Sequence, residues 1–459
     1  MLAVVGLVWN AKPPQRPLLE NTPAPAPVRE SWMRAAETPD DNRRRRRATP
    51  TSLATKPMAS PESVRRHNLG LLLRLLHQSG ALSRSEIGVA LGMTRSTIGE
   101  LVADLRSRGL IDEGNPARLG APGRPSLVMR PNPDGAAAIT AEIAVNSLSA
   151  AVVGLGGRIL HRARMTHQPR RLAVDQTIDD ISQLIQNAQA SIPEGCYVSG
   201  LGIAIAGVVR RSDGFVHFAP NLGWRDVPLG NLLADRIGSR LPLTIANEAD
   251  LGALAEHTWG AGVGVQHLVY VSSEVGVGGG LVIDGRPLIG AAGCAGEVGH
   301  FQVNPDGERC RCGAIGCWET EIGGPAILRR VGISETNYKP EAVNQLLRKA
   351  ASGDPAAIAA VEDVGRWLSI GLAGLVNVFN PQRVVLAGLL AMMWPVVEDG
   401  VDKDLRVRMM VPSCEVDGLI VPTQLGADGP LLGAAELALN RVLDEPTLVP
   451  ARTSERRSA

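Results

Sequence analysis

The feature that most constrains this chain is a string of thiols, Cys310-Arg-Cys312-Gly-Ala-Ile-Gly-Cys317, with His300 ten residues upstream. One imidazole and three thiolates make a closed tetrahedral donor set, the kind that holds structural zinc. Gly313 and Gly316 let the backbone wrap tightly around one point. Three of the six cysteines fall within eight residues, and Met1–Asn10 has neither a basic start nor an A-x-A cleavage site. The cluster therefore reads as a metal site before disulfides: one structural zinc per chain on His300, Cys310, Cys312 and Cys317. No run of ~20 apolar residues suggests a membrane span, so a cytoplasmic protein with no membrane partner is expected.

A chain of 459 residues has room for two or three domains. Its formal net charge of +1 hides an asymmetry. Residues 1–60 carry ten Lys and Arg against five acids, and residues 61–130 carry ten Arg against six acids. The front is thus basic and the body acidic, a distribution that suits a front facing a polyanion. Residues 1–60 are Pro-rich, lack hydrophobic periodicity and contain the run Arg43–Arg47. They are expected to be a disordered, dispensable extension, although the Arg run would favour phosphate contacts. The tail, 444–459, returns to Pro and Arg and is expected to be flexible.

Between these ends the periodicity changes twice. Leu69, Leu72, Leu73 and Leu76 lie on one helical face. Ser83-Arg-Ser-Glu86 has capping-box spacing, so a second helix starts there and stops at Gly92. Thr94 opens a third helix, with Ile98, Leu101, Val102 and Leu105 as its buried stripe. Helix, short helix, tight turn and helix make a helix-turn-helix. Two short strands around a Gly/Pro loop, at Leu110-Ile111 and Leu127–Met129, add a wing. Residues 61–130 are therefore expected to be a mostly α winged helix-turn-helix that reads double-stranded operator DNA. Arg95, Ser96 and Thr97, in the first turn of the third helix, face bases in the major groove. Arg124, in Gly123-Arg124-Pro125 of the wing, suits a narrow A·T minor groove. A winged helix that binds protein is the competing reading.

From Ala138 onward, short β-rich runs alternate with helical stretches, as in Val198–Ala206, Leu243–Ile245 and Arg383–Ala387. This pattern gives an α/β fold with mixed sheets. Here the string Gly276-x-Gly-Gly-Gly280, Ala295-Gly-Glu297-Val-Gly-His300, Cys310-x-Cys312, Cys317-x-Glu319 resembles the ROK family of repressors and sugar kinases. The likeness runs over about residues 62–440 and is strongest toward regulators of the xylose-repressor and N-acetylglucosamine-repressor type. It implies an α/β, actin/hexokinase-like two-lobed domain over 137–443, with a sugar-binding cleft. Asn247, Glu248, Glu297, His300 and Glu319 would hold the hydroxyls of a small sugar effector, with Asn221 as a further lining residue. The metal would lock the His300 ring and keep Glu319 in register.

Three departures from the kinases of that family bear on activity. The first phosphate loop is replaced by Glu142-Ile-Ala-Val-Asn146, without the glycines that allow backbone amides near phosphates. Ser273-Glu274-Val275 stands for the second loop and brings a carboxylate. The base string reads Asn247-Glu248-Ala249-Asp250, with Glu in place of Asp. The expectation is a non-enzymatic repressor of carbohydrate-utilisation genes, acting as a homodimer or homotetramer. Two alternatives stay open: a ROK sugar kinase with an appended DNA-binding domain, and a regulator controlled by a protein partner.

Overall fold

Local signals build the front of the molecule. In a computed structural model, which describes residues 60–114, 127–166, 173–238, 240–291, 293–334, 340–410 and 418–452, α1 spans Pro61–Ser79. A two-residue strand, β1 (Leu82–Ser83), leads into α2 (Arg84–Leu91). The Ser83 side chain accepts from Glu86 N while Glu86 Oε2 accepts from Ser83 N at 2.7 Å, a complete capping box. Gly92, at φ 63°, ends α2 in the left-handed conformation. Thr94 then caps α3 (Arg95–Ser107) through Thr97 N. β2 (Ile111–Gly114) and β3 (Val128–Pro131) pair antiparallel, and β1 closes the sheet in the order β1-β3-β2. Arg124 and residues 1–59, including the Arg43–Arg47 run, lie outside the described residues.

The body begins with β4 (Ala136–Ile143), which turns back through β5 (Ser147–Gly154) and β6 (Arg158–Thr166). α4 (Val174–Ala190) crosses to β7 (Tyr197–Ile205), parallel to β4. A small meander follows: β8 (Val208–Arg210), β9 (Phe215–Ala219) and β10 (Trp224–Val227). Next come α5 (Leu229–Ile237), β11 (Leu243–Asn247) and α6 (Glu248–Trp259). The sheet order is β11-β7-β4-β5-β6. Ile178, Ile181 and Ile185 of α4 pack into the core on one of its faces.

The second half repeats that plan. β12 (Leu268–Ser273) turns back through β13 (Val277–Ile283) and the short β14 (Arg286–Pro287). The helices α7 (Glu319–Ile322), α8 (Gly324–Arg329), α9 (Pro340–Ala351) and α10 (Pro355–Phe379) precede β15 (Arg383–Gly388). α11 (Leu389–Arg408), β16 (Ile420–Pro422) and α12 (Gly429–Asp444) complete the chain's regular elements. The order β14-β13-β12-β15-β16 matches the first sheet strand for strand: an antiparallel hairpin on one side of a central strand and parallel strands on the other. Two such sheets in one chain make the two-lobed, actin/hexokinase-like architecture. The β4–β5 and β12–β13 hairpins occupy equivalent places, one in each lobe.

Two sequence expectations change. The segment after Leu443 is not loose up to Arg452. Pro446–Leu448 forms a 3-10 turn, Val449 is buried in the core that contains Leu69 and Leu105, and Arg108 Nη1 donates to Val449 O at 2.6 Å. The cause is an apolar notch beside α1 and α3 that Val449 fills; only 453–459 lie outside the described residues. Nor do residues 61–130 keep a core of their own. Leu69, Leu72, Leu73 and Leu76 of α1 share one cluster with Leu431, Ala435, Leu439 and Val442 of α12. α1 crosses α12 at Gly70, where a Cβ would lie 2.9 Å from the carbonyl oxygens of Leu443 and Asp444. Among the described residues, no helix is long and apolar enough to cross a membrane.

Candidate functional site

The four proposed metal ligands converge. His300 sits in the single turn Val298–His300, and the Cys loop folds back so that Cys310 N donates to Ala314 O at 2.8 Å. The nitrogen and sulfur atoms of His300, Cys310, Cys312 and Cys317 all lie within 4.8 Å of one another. Cys310 Sγ is 3.7 Å from His300 Nδ1, and Cys312 Sγ is 3.6 Å from Cys317 Sγ. None of these sulfurs is in a disulfide. Burial pushes the Cys310 thiol well above its usual range and the Cys317 thiol up to about 11. Four soft donors crowded at this spacing form a site able to hold a metal ion.

The same imidazole joins this cluster to a polar cleft. With Nδ1 toward the sulfurs, Nε2 points to Glu297 Oε2, 4.0 Å away. Burial raises the Glu297 carboxyl above its ordinary value, His300 opposes that rise, and Asp250 and Glu319 add to it. Glu319 lies on the other side of the Cys loop, with Oε1 3.7 Å from Cys310 Sγ and Oε2 accepting from Val277 N at 3.1 Å. Gly276 makes room for it: a Cβ there would sit 2.5 Å from Glu319 Oε2 and 2.5 Å from Asn221 Nδ2. The missing side chain thus leaves room beside Gly276 for both Asn221, from the β9–β10 turn, and Glu319, from the other lobe. Arg311 Nη1 donates to Asn221 Oδ1 at 2.8 Å.

Asn247 and Glu248 enter from the end of β11. Asn247 caps α6 by accepting from Ala249 N at 2.7 Å, and its Nδ2 donates to Gly207 O at 2.9 Å. Its amide is therefore built into the frame, and only the second lone pair and the second N–H remain for a ligand. Glu248 begins α6. Burial, followed by the charges of Glu142 and Glu274, raises its carboxyl to about 8. Glu142, near the end of β4, is raised to about 7, chiefly by burial, with Arg164 and Arg162 opposing. Glu142 and Glu274 belong to the two equivalent hairpins, so each lobe brings one acid toward Glu248.

Two residues were missed by sequence reasoning. Asp250, buried in the first turn of α6, accepts from Arg211 Nη2 at 2.9 Å. Its charge raises Glu297, which places it beside the site. Arg211 is on the β8–β9 hairpin, 39 positions away in sequence, and only its place in Arg210-Arg211, two residues ahead of Asp213-Gly214, could have marked it as a cleft residue. The DNA-facing candidates form a separate group at the start of α3. Arg95 and Ser96 are exposed and Thr97 half-buried, with Thr94 Oγ1 3.0 Å from Ser96 Oγ and 2.9 Å from Thr97 Oγ1. Arg65, Arg84, Arg106 and Arg108 are all paired with Asp104 or Glu113, whereas Arg95 makes no ion pair among the described residues.

A duplicated two-lobed fold, with carboxylates and amides gathered between the lobes and a His/Cys cluster bracing one side, defines a protein of the sugar-kinase-like class. Within that class, the model of the ROK family matches residues 138–441, and the chain belongs to that family. It is 26% identical to a xylose repressor of Bacillus spizizenii over 84% of this chain and 98% of that one. It is 30% identical to a glucokinase of Streptomyces coelicolor over 65% of this chain and 96% of that one. Among solved structures, a ROK family transcriptional regulator described as a homolog of the E. coli MLC protein aligns with a TM-score of 0.65 at 26% identity, covering 84% and 98% of the two chains.

Proposed function

We propose that this protein is a sugar-responsive transcriptional repressor of carbohydrate-utilisation genes, and not a kinase. The observation that carries the reading is the full-length likeness to a xylose repressor and to a ROK transcriptional regulator, a likeness that takes in the front block α1–α3 as well as the two lobes. In this reading α1–α3 with β1–β3 form a winged helix-turn-helix. α3 enters the major groove of operator DNA and presents Arg95, Ser96 and Thr97, while the wing brings Arg124 to the minor groove. Two copies in a homodimer, or four in a homotetramer, would place recognition helices ~34–36 Å apart on a pseudo-palindrome.

The cleft is the effector site. Asn247, Glu248, Glu297, His300 and Glu319, with Asn221, offer acceptors and donors that suit the adjacent hydroxyls of a small sugar. The metal is zinc in this reading. Zn–S bonds of ~2.3 Å in a tetrahedron set S···S edges of ~3.8 Å, close to the 3.6 Å between Cys312 and Cys317. His300, Cys310, Cys312 and Cys317 would hold the ion, and its binding would fix the His300 ring and the loop leading to Glu319. Glu274 brings a carboxyl where phosphates would lie, and the stretch from Glu142 to Asn146 lacks the glycines that let backbone amides approach them, which disfavours ATP. To switch DNA binding, the sugar must bind the two states of the protein unequally.

The glucokinase likeness and the retained carboxylate at Glu248 favour the second reading, a sugar kinase with a DNA-binding front. A coupled ATP-consumption assay on sugars separates the two. The repressor reading expects no steady turnover, together with a Glu297→Ala variant that keeps operator affinity and loses its sugar response. Sustained sugar-dependent ATP use would establish the kinase instead.

A further inference from the structure

α6 starts in the polar cleft and ends against the front block. Asn247 caps it, and Glu248 and Asp250 stand in its first turn. Its last residue, Trp259, donates from Nε1 to the carbonyl oxygen of His77 in α1 at 3.3 Å, and its ring meets the His77 ring edge-on with centroids 5.2 Å apart. Twelve residues at 1.5 Å per residue separate the two ends by ~18 Å.

At its cleft end the helix has no slack. A Cβ at Gly252 would lie 2.6 Å from the Tyr270 ring, one at Gly280 would lie 2.4 Å from Ala249 O, and one at Gly433 would lie 2.0 Å from Leu251 O. A helix packed this closely on β12, β13 and α12 transmits a displacement as a unit, because close-packed interiors deform little.

His77 is a joint between segments. Its imidazole is fully buried. Nδ1 accepts from Gly156 N at 2.9 Å, so Nε2 carries the ring proton and donates to Glu436 Oε2 at 2.9 Å. Glu436, in α12, is itself buried, and its other oxygen lies 3.4 Å from Arg74 Nη1 of α1. The two ring nitrogens are thus satisfied by α12 and the turn Leu155–Gly157, while α6 binds the carbonyl of the same residue and packs against its ring. Buried polar networks of this kind fix a unique arrangement. α1 shares a single core with Ile98, Leu101 and Leu105 of α3, so a shift of α1 carries α3 with it.

We propose that α6 is the rod that couples the polar cleft to the DNA-facing helices, and that His77, Trp259 and Glu436 are positioning residues forming its joint with α1. The identity of the effector rests on the repressor reading above; the mechanical link does not. Coupling requires an element that both sites bias, and α6 is an element in contact with both.

The link is testable without a sugar. Asn247→Ala removes the cap at the cleft end of α6, and Asp354→Ala removes a side-chain cap of the same kind from α10 in the other lobe. Hydrogen exchange should show the α1 amides from Leu72 to Ser79 exchanging at least ~3-fold faster in Asn247→Ala. In Asp354→Ala those amides should match wild type. Equal α1 exchange in Asn247→Ala and wild type would overturn the proposal.

A second arm uses Trp259→Phe and His77→Gln with D-xylose, D-glucose and N-acetyl-D-glucosamine as probes. For any sugar that shifts wild-type operator affinity, both variants should bind that sugar with a Kd within threefold of wild type. They should pass on less than a third of the shift. Variants that switch as fully as wild type would sink the joint. If no probe shifts wild-type operator binding, the result counts against the repressor reading, and the exchange comparison alone decides the rod.

Discussion

Replacing Glu248 by Gln removes a carboxyl that the fold holds protonated. Burial raises it from 4.5 to about 8, with Glu142 and Glu274 adding to the rise. The unfolded chain ionises this group near 4.3. Between those values the folded protein keeps a proton that the unfolded chain has lost, so stability is full at low pH and falls as pH rises toward 8. At ~1.4 kcal/mol per pKa unit, the ceiling for the whole rise is ~5 kcal/mol. Glu248 is only partly buried, and part of its rise depends on the charges of Glu142 and Glu274. Solvent screening and that dependence bring the part lost at Glu248 to ~2 kcal/mol. An amide stays neutral throughout, so Glu248→Gln should melt close to wild type at about pH 4 and a few degrees above it at about pH 8.5. Parallel melting curves at both pH values, or a variant less stable at high pH, would refute the three-acid picture of the cleft.

The His/Cys cluster predicts about one zinc per chain by elemental analysis, lost in Cys312→Ser with a melting point lower by several degrees. Retention of full zinc by that variant would count against the ligand set. Gly276→Ala places a methyl against Asn221 Nδ2 and Glu319 Oε2, so both groups must shift, and should weaken sugar binding at least ~10-fold by calorimetry, while sugar-free operator affinity stays within threefold. An unchanged sugar Kd would remove that pair from the site. Arg95→Ala should weaken operator binding ~5- to 100-fold in fluorescence anisotropy at fixed salt, the range expected for a lost base contact. Wild-type affinity would take α3 out of the groove.

What was legible in the sequence is what short-range chemistry decides. Ser83 and Glu86 cap α2 from three residues apart, and Leu69 to Leu76 mark a helical face whatever the rest of the chain does. The metal ligands span only 18 positions, and their spacing carries the geometry. The β13 strand was harder to read because Gly278, Gly279 and Gly280 erase the side-chain alternation. Those glycines exist for distant partners: Ala249 and Ala253 of α6 occupy the space a Cβ would need at Gly278 and Gly280, and Val298 and Gly296 that at Gly279. Likewise, nothing near Asp250 announces Arg211, and nothing after Leu443 announces that Val449 fills a notch beside α1. The clearest gap is the front–body junction. Sequence periodicity separates residues 61–130 from the lobes, yet His77 and Gly70 bind them through contacts that only folding brings together.

The most direct test of the account is the affinity of the full chain for DNA from upstream of its own gene, measured at fixed salt with and without each sugar of a panel of pentoses, hexoses and amino sugars. The account predicts tight, saturable binding that one sugar changes at least ~10-fold, with no ATP required. Binding that no sugar alters would contradict the effector site, and failure to bind that DNA at all would contradict the repressor.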